Sequence, residues 1–425
     1  VRGVGRFGPL RERPFRLLWL ARTGSSVGDS LIPVALAFAV LNHALDGGVG
    51  GGPVGYGVVL ACWTVGRASV TLAGGVWADR LSRRLVMISA DLARLGTQSL
   101  TAALLLGGVA RVWQLAVLQL VAGAAGGFFG PASTAIVPQT VSAPLLQQAN
   151  SLLTISRSGT QIFGPAIAGA IVVTAGPGWC FGIDASSFLF SACFVAAMRV
   201  TPYVREAPQR FWRDLADGWR EVRLHRWLTA GFLGFALGNV GIGFYLVLGP
   251  IVAKSDLAFH QLAWGLILGS GSVGGVLGGL VAYRVRPTHP VATAFAIWML
   301  GAALPFALVQ PLPLVLVMLA AAVVFASILV GNVLWETAMQ QEVRPDRLAR
   351  VASIDMLLSL CLMPVGSLIA GPLDGAIGIR ATLLLAGVLM SVPNFLVLLF
   401  VREVRTVRRS DEPATGLGGL RTAEP

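Results

Sequence analysis

Between Phe15 and Arg402 the chain repeats one pattern: an apolar run, a short polar turn, then another apolar run. A helix rises about 1.5 Å per residue, so roughly 20 apolar residues cross the hydrocarbon core of a bilayer. Runs of that length fall at about 18–41, 56–77, 85–107, 113–136, 150–174, 179–198, 227–250, 261–283, 290–309, 313–335, 352–374 and 380–401. Only 12% of the residues are charged, against about 25% in a soluble chain, and the mean hydropathy is +0.75. The pattern predicts an all-α membrane protein with twelve transmembrane helices. An even number of crossings places both termini on one face.

The distribution of charge tests that layout. A net charge of +12 in a soluble protein would point to nucleic acid. Here 25 of the 32 basic residues fall in turns and tails on one face; only Arg111, Lys254 and Arg380 lie on the other, and Arg22, Arg67, Arg94 and Arg157 lie within spans. Basic residues are retained on the cytoplasmic side, so the charge reports topology and predicts no nucleic-acid partner. Both termini are expected in the cytoplasm. Lys254 is the single lysine, a bias that fits a GC-rich bacterial gene and hence a bacterial plasma membrane. The first apolar run is too long for a cleaved signal peptide. Cys62, Cys180, Cys193 and Cys361 sit in apolar runs, where thiols pack as small hydrophobes. The longest polar stretch between spans divides the chain into a bundle over 1–200, a cytoplasmic linker over 201–226, a second bundle over 227–402 and a tail over 403–425 expected to be disordered. Within the linker Phe211, Leu215, Trp219 and Val222 recur at helical spacing, which predicts an amphipathic helix on the inner membrane surface.

The turn after the second run reads Gly75-Val76-Trp77-Ala78-Asp79-Arg80-Leu81-Ser82-Arg83-Arg84. It resembles the signature loop between spans two and three of the major facilitator superfamily, Gly-x-Leu-Ala-Asp-Arg-x-Gly-Arg-Arg/Lys, from which Trp77 and Ser82 depart. The resemblance implies a fold of two six-helix halves and a gate made by Gly75, Asp79, Arg80, Arg83 and Arg84. In it the acid meets the N-terminal end of span eleven in the outward-facing state, and the arginine joins the charge network of the inner gate. Asp79→Asn is then expected to slow transport without abolishing binding.

Gly159-Thr160-Gln161-Ile162-Phe163-Gly164-Pro165-Ala166-Ile167-Ala168-Gly169 in span five is similar to the antiporter motif of exporters in this superfamily, with Ala168 in place of one glycine. Physically, Gly159, Gly164 and Gly169 clear a helix face for a neighbour, and Pro165 removes a backbone hydrogen bond. Further stretches, among them Phe128-Phe129-Gly130-Pro131-Ala132, Trp335-Glu336-Thr337-Ala338-Met339-Gln340 and Arg350-Val351-Ala352-Ser353-Ile354-Asp355, resemble the branch that holds macrolide-efflux proteins and enterobactin exporters. Gln119 stands where drug exporters of other branches carry an arginine, so their arginine-based proton relay does not transfer.

A carboxylate in hydrocarbon costs several kcal/mol when ionised, and it takes up a proton unless a cation holds it charged. Asp29 in span one and Arg67 in span two lie at similar depth near mid-membrane, and they are the expected proton-coupling pair. Asp91 and Arg94, three apart on one helix face, are placed to neutralise each other. Arg94, Arg157, Asn239, Tyr245 and Asn332 are the candidate substrate-cavity contacts; Asp184 reads as near the outer end of span six, and Glu336 and Asp355 as near the inner surface.

Gly269-Ser270-Gly271-Ser272-Val273-Gly274 matches a dinucleotide-binding fingerprint, but no strand precedes it. His43, His225, His260 and His289 are scattered, which suggests neither a catalytic partner nor a metal site. The expectation is therefore a secondary transporter and not an enzyme, with no cofactor beyond the proton motive force. It would export an amphiphilic small molecule, drug-like or siderophore-like, by proton antiport, as a monomer in the lipid bilayer. A proton-coupled nutrient importer and a non-transporting membrane sensor remain as alternatives.

Overall fold

The computed structural model describes residues 8–45, 52–78, 82–142, 145–199, 219–220, 222–223, 225–257, 260–343 and 345–407. Among them no strand occurs, and twelve helical spans form two bundles of six. The first bundle holds α1 (Arg13–Leu45), α2 (Gly52–Ala78), α3 (Arg83–Leu106), α4 (Val112–Ala135), α5 (Leu146–Thr174) and α6 (Pro177–Ala197). The second holds α7 (Arg226–Asp256), α8 (Gln261–Arg284), α9 (Pro290–Val309), α10 (Leu314–Glu342), α11 (Pro345–Ile377) and α12 (Ile379–Phe400). Eight of these are apolar enough throughout to cross a membrane by composition alone. Midway along, α9 tightens into a 3-10 turn at Met299–Ala302.

Every expected span is present, but several helices outrun their apolar cores. α1 and α11 are 33 residues each, and α10 continues to Glu342, two turns past the expected end at 335. Surplus length of this kind is accommodated by tilt or by extension into the headgroup region.

Close packing relies on glycine. Within the first half α2 lies along α4, and a Cβ at Gly66 or Gly123 would collide with the backbone of the other helix. Within the second half α8 lies along α10, and Gly271, Gly274 and Gly278 face Phe325, Ala322 and Ala326. The Gly-x-Gly-x-x-Gly stretch is therefore a helix-crossing surface, where small residues let backbones approach without side chains between them.

The even number of spans puts the described ends of the chain at one face of the bundle, the terminal face. The other is the far face. The two halves meet through α2 on α11 and α5 on α8. Gly57 sits against the Ser367 carbonyl, Gly371 against the Val54 backbone, Gly265 against the Pro165 carbonyl and Gly169 against Leu262. Lys254 Nζ at the end of α7 donates to Asn42 Oδ1 on α1 at 2.9 Å. All these approaches lie in the far half of the bundle, which is thus sealed at the far face.

At the hinge between α2 and α3, Ser82 takes the place of the family's glycine and serves as N-cap, its Oγ accepting from Leu85 N at 3.2 Å. Arg84 reaches across to α6. Its Nε donates to the Val195 carbonyl at 3.0 Å and its Nη2 to the Ala196 carbonyl, so it caps the C-terminus of α6, where the helix leaves carbonyls unpaired. Gly75 lies in the last turns of α2 and Arg83 opens α3, whereas Asp79 and Arg80 fall outside the described residues. The amphipathic linker falls largely outside them too; near its end Val222 is fully buried in a cluster with Trp227 and Val404. The expectation of a disordered tail from 403 needs correction at its start. Arg402–Thr406 forms a short helix, α13, whose Glu403 Oε2 accepts from Trp227 N at 3.2 Å and caps α7. Burying Val404 is what holds it there. Residues 408–425 lie outside the described residues.

Candidate functional site

α3 carries Asp91, Arg94, Gln98 and Thr101 at intervals of three and four, and all four are buried. Polar groups removed from water must find partners, and charges must be paired. Arg94 Nη2 donates to Asp91 Oδ1 at 2.8 Å, and Ser191 Oγ on α6 donates to Asp91 Oδ2 at 2.6 Å. The same guanidinium reaches Asp29 Oδ1 on α1 at 3.6 Å. Its carbon lies 4.6 Å from the Phe129 ring and 4.0 Å from the Phe188 ring, so aromatic faces hold it from both neighbouring helices. One arginine thus serves two carboxylates of unlike exposure, for the side chain of Asp91 is 0% exposed and that of Asp29 53%.

A second chain of bonds continues along α3. Gln98 Nε2 donates to Asp184 Oδ2 at 2.9 Å, and Gln119 Nε2 on α4 donates to Gln98 Oε1 at 3.1 Å. Asp184 is fully buried, and its Oδ1 makes no hydrogen bond. It lies against Gly28, where any Cβ would strike it. Three consecutive residues of α1 therefore face three helices: Gly28 meets Asp184 of α6, Asp29 meets Arg94 of α3, and Ser30 meets Gly164 of α5.

The structure redistributes the residues expected from sequence. Asp29 forms its ion pair with Arg94, whereas Arg67, placed over the Trp63 ring at 5.5 Å, and Arg157 act on Asp29 only through space. Sequential spans need not be neighbours, and α1 packs chiefly on α5 and α6. Gly164 and Gly169 of the span-five motif make the close contacts to α1 and α8 just described, Pro165 offers its carbonyl to Gly265, and Gly159 faces open space. Asp184, about two turns from the far end of α6, is turned into the interior network.

In the second half, Asn239 and Asn332 line a cavity of about 210 Å³ between α7, α9, α10, α11 and α12. Tyr245 does not; it is 3% exposed and packs in the apolar core. Glu336 and Asp355, expected near the surface, line the cavity together with Trp298 and Trp335. Sequence reasoning missed Ser191 as a partner of Asp91, and Gln98, Gln119 and Asp184 as a second bonded chain. The polar stripe on α3 was the available signal. Among the described residues no group of His, Cys, Asp and Glu is placed to hold a metal ion.

Against known proteins, the family model described as transmembrane secretion effector matches residues 4–414. The multidrug efflux pump Tap of Mycolicibacterium fortuitum is 28% identical over 428 residues, covering 95% of this chain and 99% of the pump. Macrolide efflux protein A of Streptococcus pyogenes is 24% identical over 331 residues, covering 74% of this chain and 80% of that protein. Among solved structures, a bacterial homologue of the human lysosomal transporter Spinster, inward-facing and unoccupied, superposes with a TM-score of 0.70 at 12% identity, covering 95% of this chain and 99% of its own. A peptide transporter in complex with sulfate superposes with a TM-score of 0.74 at 12% identity, covering 94% and 96%.

Proposed function

The chain belongs to the transmembrane secretion effector family of the major facilitator superfamily, and we propose that within it this protein exports an amphiphilic small molecule across the bacterial plasma membrane in exchange for protons. Family and fold make it a multi-pass membrane transporter. The direction of transport is taken from relatives named as efflux proteins. The terminal face is taken as cytoplasmic because most basic residues lie there. On that assignment the far-face seal makes this the state that loads from the cytoplasm, and export follows when the two halves rock to open the far face.

The observation that carries proton coupling is the sharing of Arg94 between Asp29 and Asp91. Asp91, buried and held by two donors, stays paired with the guanidinium whatever happens at Asp29. A proton arriving at Asp29 ends its attraction to Arg94 without leaving a buried cation uncompensated. Loss of that proton restores the pair. The local charge thus changes by one unit at low cost, at the turn of α1 that touches α6 and α5 on either side. A change of pairing there biases which packing of α1 is favoured, and this is all that a two-state transporter requires of its switch.

Everted vesicles energised to an acidic lumen test the reading. Addition of a transported macrolide or lipophilic cation is expected to release lumenal protons, and Asp29→Asn is expected to abolish the release. Further acidification would indicate symport and absence of any response a non-transporting protein; either overturns the proposal.

A further inference from the structure

We propose that the cavity in the C-terminal half is a head-group site for an organic cation, which makes the substrate an amphiphile with a positively charged end. The proposal rests on the export reading for its biological meaning and deepens it by choosing a substrate class.

The cavity lies in the terminal-face half of the bundle. At about 1.5 Å per residue, Glu336 is roughly 9 Å from the end of α10, Asp355 roughly 15 Å from the start of α11 and Asn239 roughly 20 Å from the start of α7. It therefore lies on the side of the bundle away from the far-face seal. Its walls are aromatic: Phe235 lies 4.3 Å from Trp298 and 5.2 Å from Trp335, ring centre to ring centre. Indole faces attract ammonium and guanidinium groups, and do so most strongly where water is excluded.

The polar groups in it are mostly acceptors. Asn239 Nδ2 donates one N–H to the Phe235 carbonyl at 2.9 Å and Asn394 Nδ2 one to the Met390 carbonyl at 2.8 Å, which fixes both amides with their oxygens available. Glu336 and Asp355 add two carboxylates, and among the described residues the lining holds no arginine or lysine. Two further polar atoms are buried in it, Asp355 Oδ1 and the Nε1 of Trp335, a residue 2% exposed, and the indole N–H lies on the side of the carboxylate. A carboxylate buried with only an indole N–H beside it keeps a charge without a cationic partner, and a cationic ligand that pairs with it recovers part of that cost. An anion would meet two carboxylates here. The volume of about 210 Å³ is below the ~300–1,000 Å³ of sites that enclose a whole drug-sized ligand, so it receives one end of the molecule while the rest remains between the halves.

The test uses the full chain in lipid nanodiscs and equilibrium dialysis of radiolabelled benzyltrimethylammonium against phenylmethanesulfonate, two probes with the same ring and opposite charge. The cation is expected to bind and the anion not. Glu336→Gln, at the exposed mouth where folding is not at stake, and Asp355→Asn are each expected to weaken binding by about tenfold, the worth of one charge-assisted contact. Equal binding of the anion, indifference to both substitutions, or displacement of the probe by sodium at constant ionic strength would overturn the proposal, the last by assigning the oxygens to an alkali ion. The assay needs no proton gradient. Proton release in vesicles with no cation binding here removes the subsite alone, and cation binding with no proton response removes antiport alone.

Discussion

Substituting the glycines where the halves meet offers the sharpest test of alternating access. A methyl group at Gly57 would run into the Ser367 carbonyl, and one at Gly265 into the Pro165 carbonyl. Both obstacles are main chain and cannot rotate aside. Overpacking of this kind costs about 1–3 kcal/mol, and it is borne only by the conformation in which the far face is closed. Each Gly→Ala change should thus shift the balance toward the far-open state by a factor of about 5 to 150, since about 1.4 kcal/mol is tenfold. The two positions lie on different helix pairs, and their effects should nearly add. Spin labels at Val173 on α5 and Ile377 on α11, both exposed near the far ends of their helices, report the separation by pulsed electron resonance. Longer distances are expected to gain population in Gly57→Ala and Gly265→Ala, and more so in the double variant. Gly182→Ala and Gly275→Ala, where a methyl meets nothing within 4 Å, serve as controls. An unchanged distance distribution in a folded double variant would refute the idea that these contacts set the seal.

Other substitutions probe the first half. Arg94→Met leaves Asp91 buried without its cation and should cost about 3–5 kcal/mol; a thermal unfolding midpoint within a degree or two of wild type would contradict the pairing. Asp29→Asn, at a half-exposed position, should leave that midpoint nearly unchanged while removing proton-driven transport, so full proton coupling in the variant would dismiss Asp29 as the switch. Asp184→Leu strips Gln98 of its acceptor and should destabilise by roughly 1–3 kcal/mol, whereas Asp184→Asn should recover part of that loss by keeping an oxygen in place; equal melting of the two variants would argue against the bond. Arg84→Ala should lower stability by about 1 kcal/mol through the uncapped end of α6, with Arg84→Lys intermediate in a denaturant titration.

The twelve spans and their order could be read from apolar runs because a bilayer imposes one length on every crossing. Depth could be read as well, by counting residues, and it placed Asp29 at the level where its partner is found. Azimuth could not. Arg67 and Arg94 both stand near mid-membrane, and only the packing of α1 onto α6 and α5, with α3 behind, decides that Arg94 faces Asp29. The acids of the C-terminal cavity were misplaced for a different reason. Apolarity fades near residue 335, but the helix does not stop there: α10 continues through Thr337 and Gln340 to Glu342, and α11 begins at Pro345, so Glu336 and Asp355 lie deeper than counting from the apolar edge suggests. The network of Gln98, Gln119 and Asp184 was written in the spacing of α3. It went unread because uncharged amides carry no obvious cost until their burial is known.

The tightened turn at Met299–Ala302 in α9 gives the second half a mechanical degree of freedom. A 3-10 segment rises about 2.0 Å and turns about 120° per residue against about 1.5 Å and 100° in an α-helix. Relaxing four residues from one to the other shortens the rod by about 2 Å and twists its two ends by about 80° relative to each other. Trp298 stands immediately before this turn and Gly301 within it, and both border the cavity. A small rewinding of one helix would therefore swing an indole across the pocket and expel its occupant, without requiring the bundle around it to come apart.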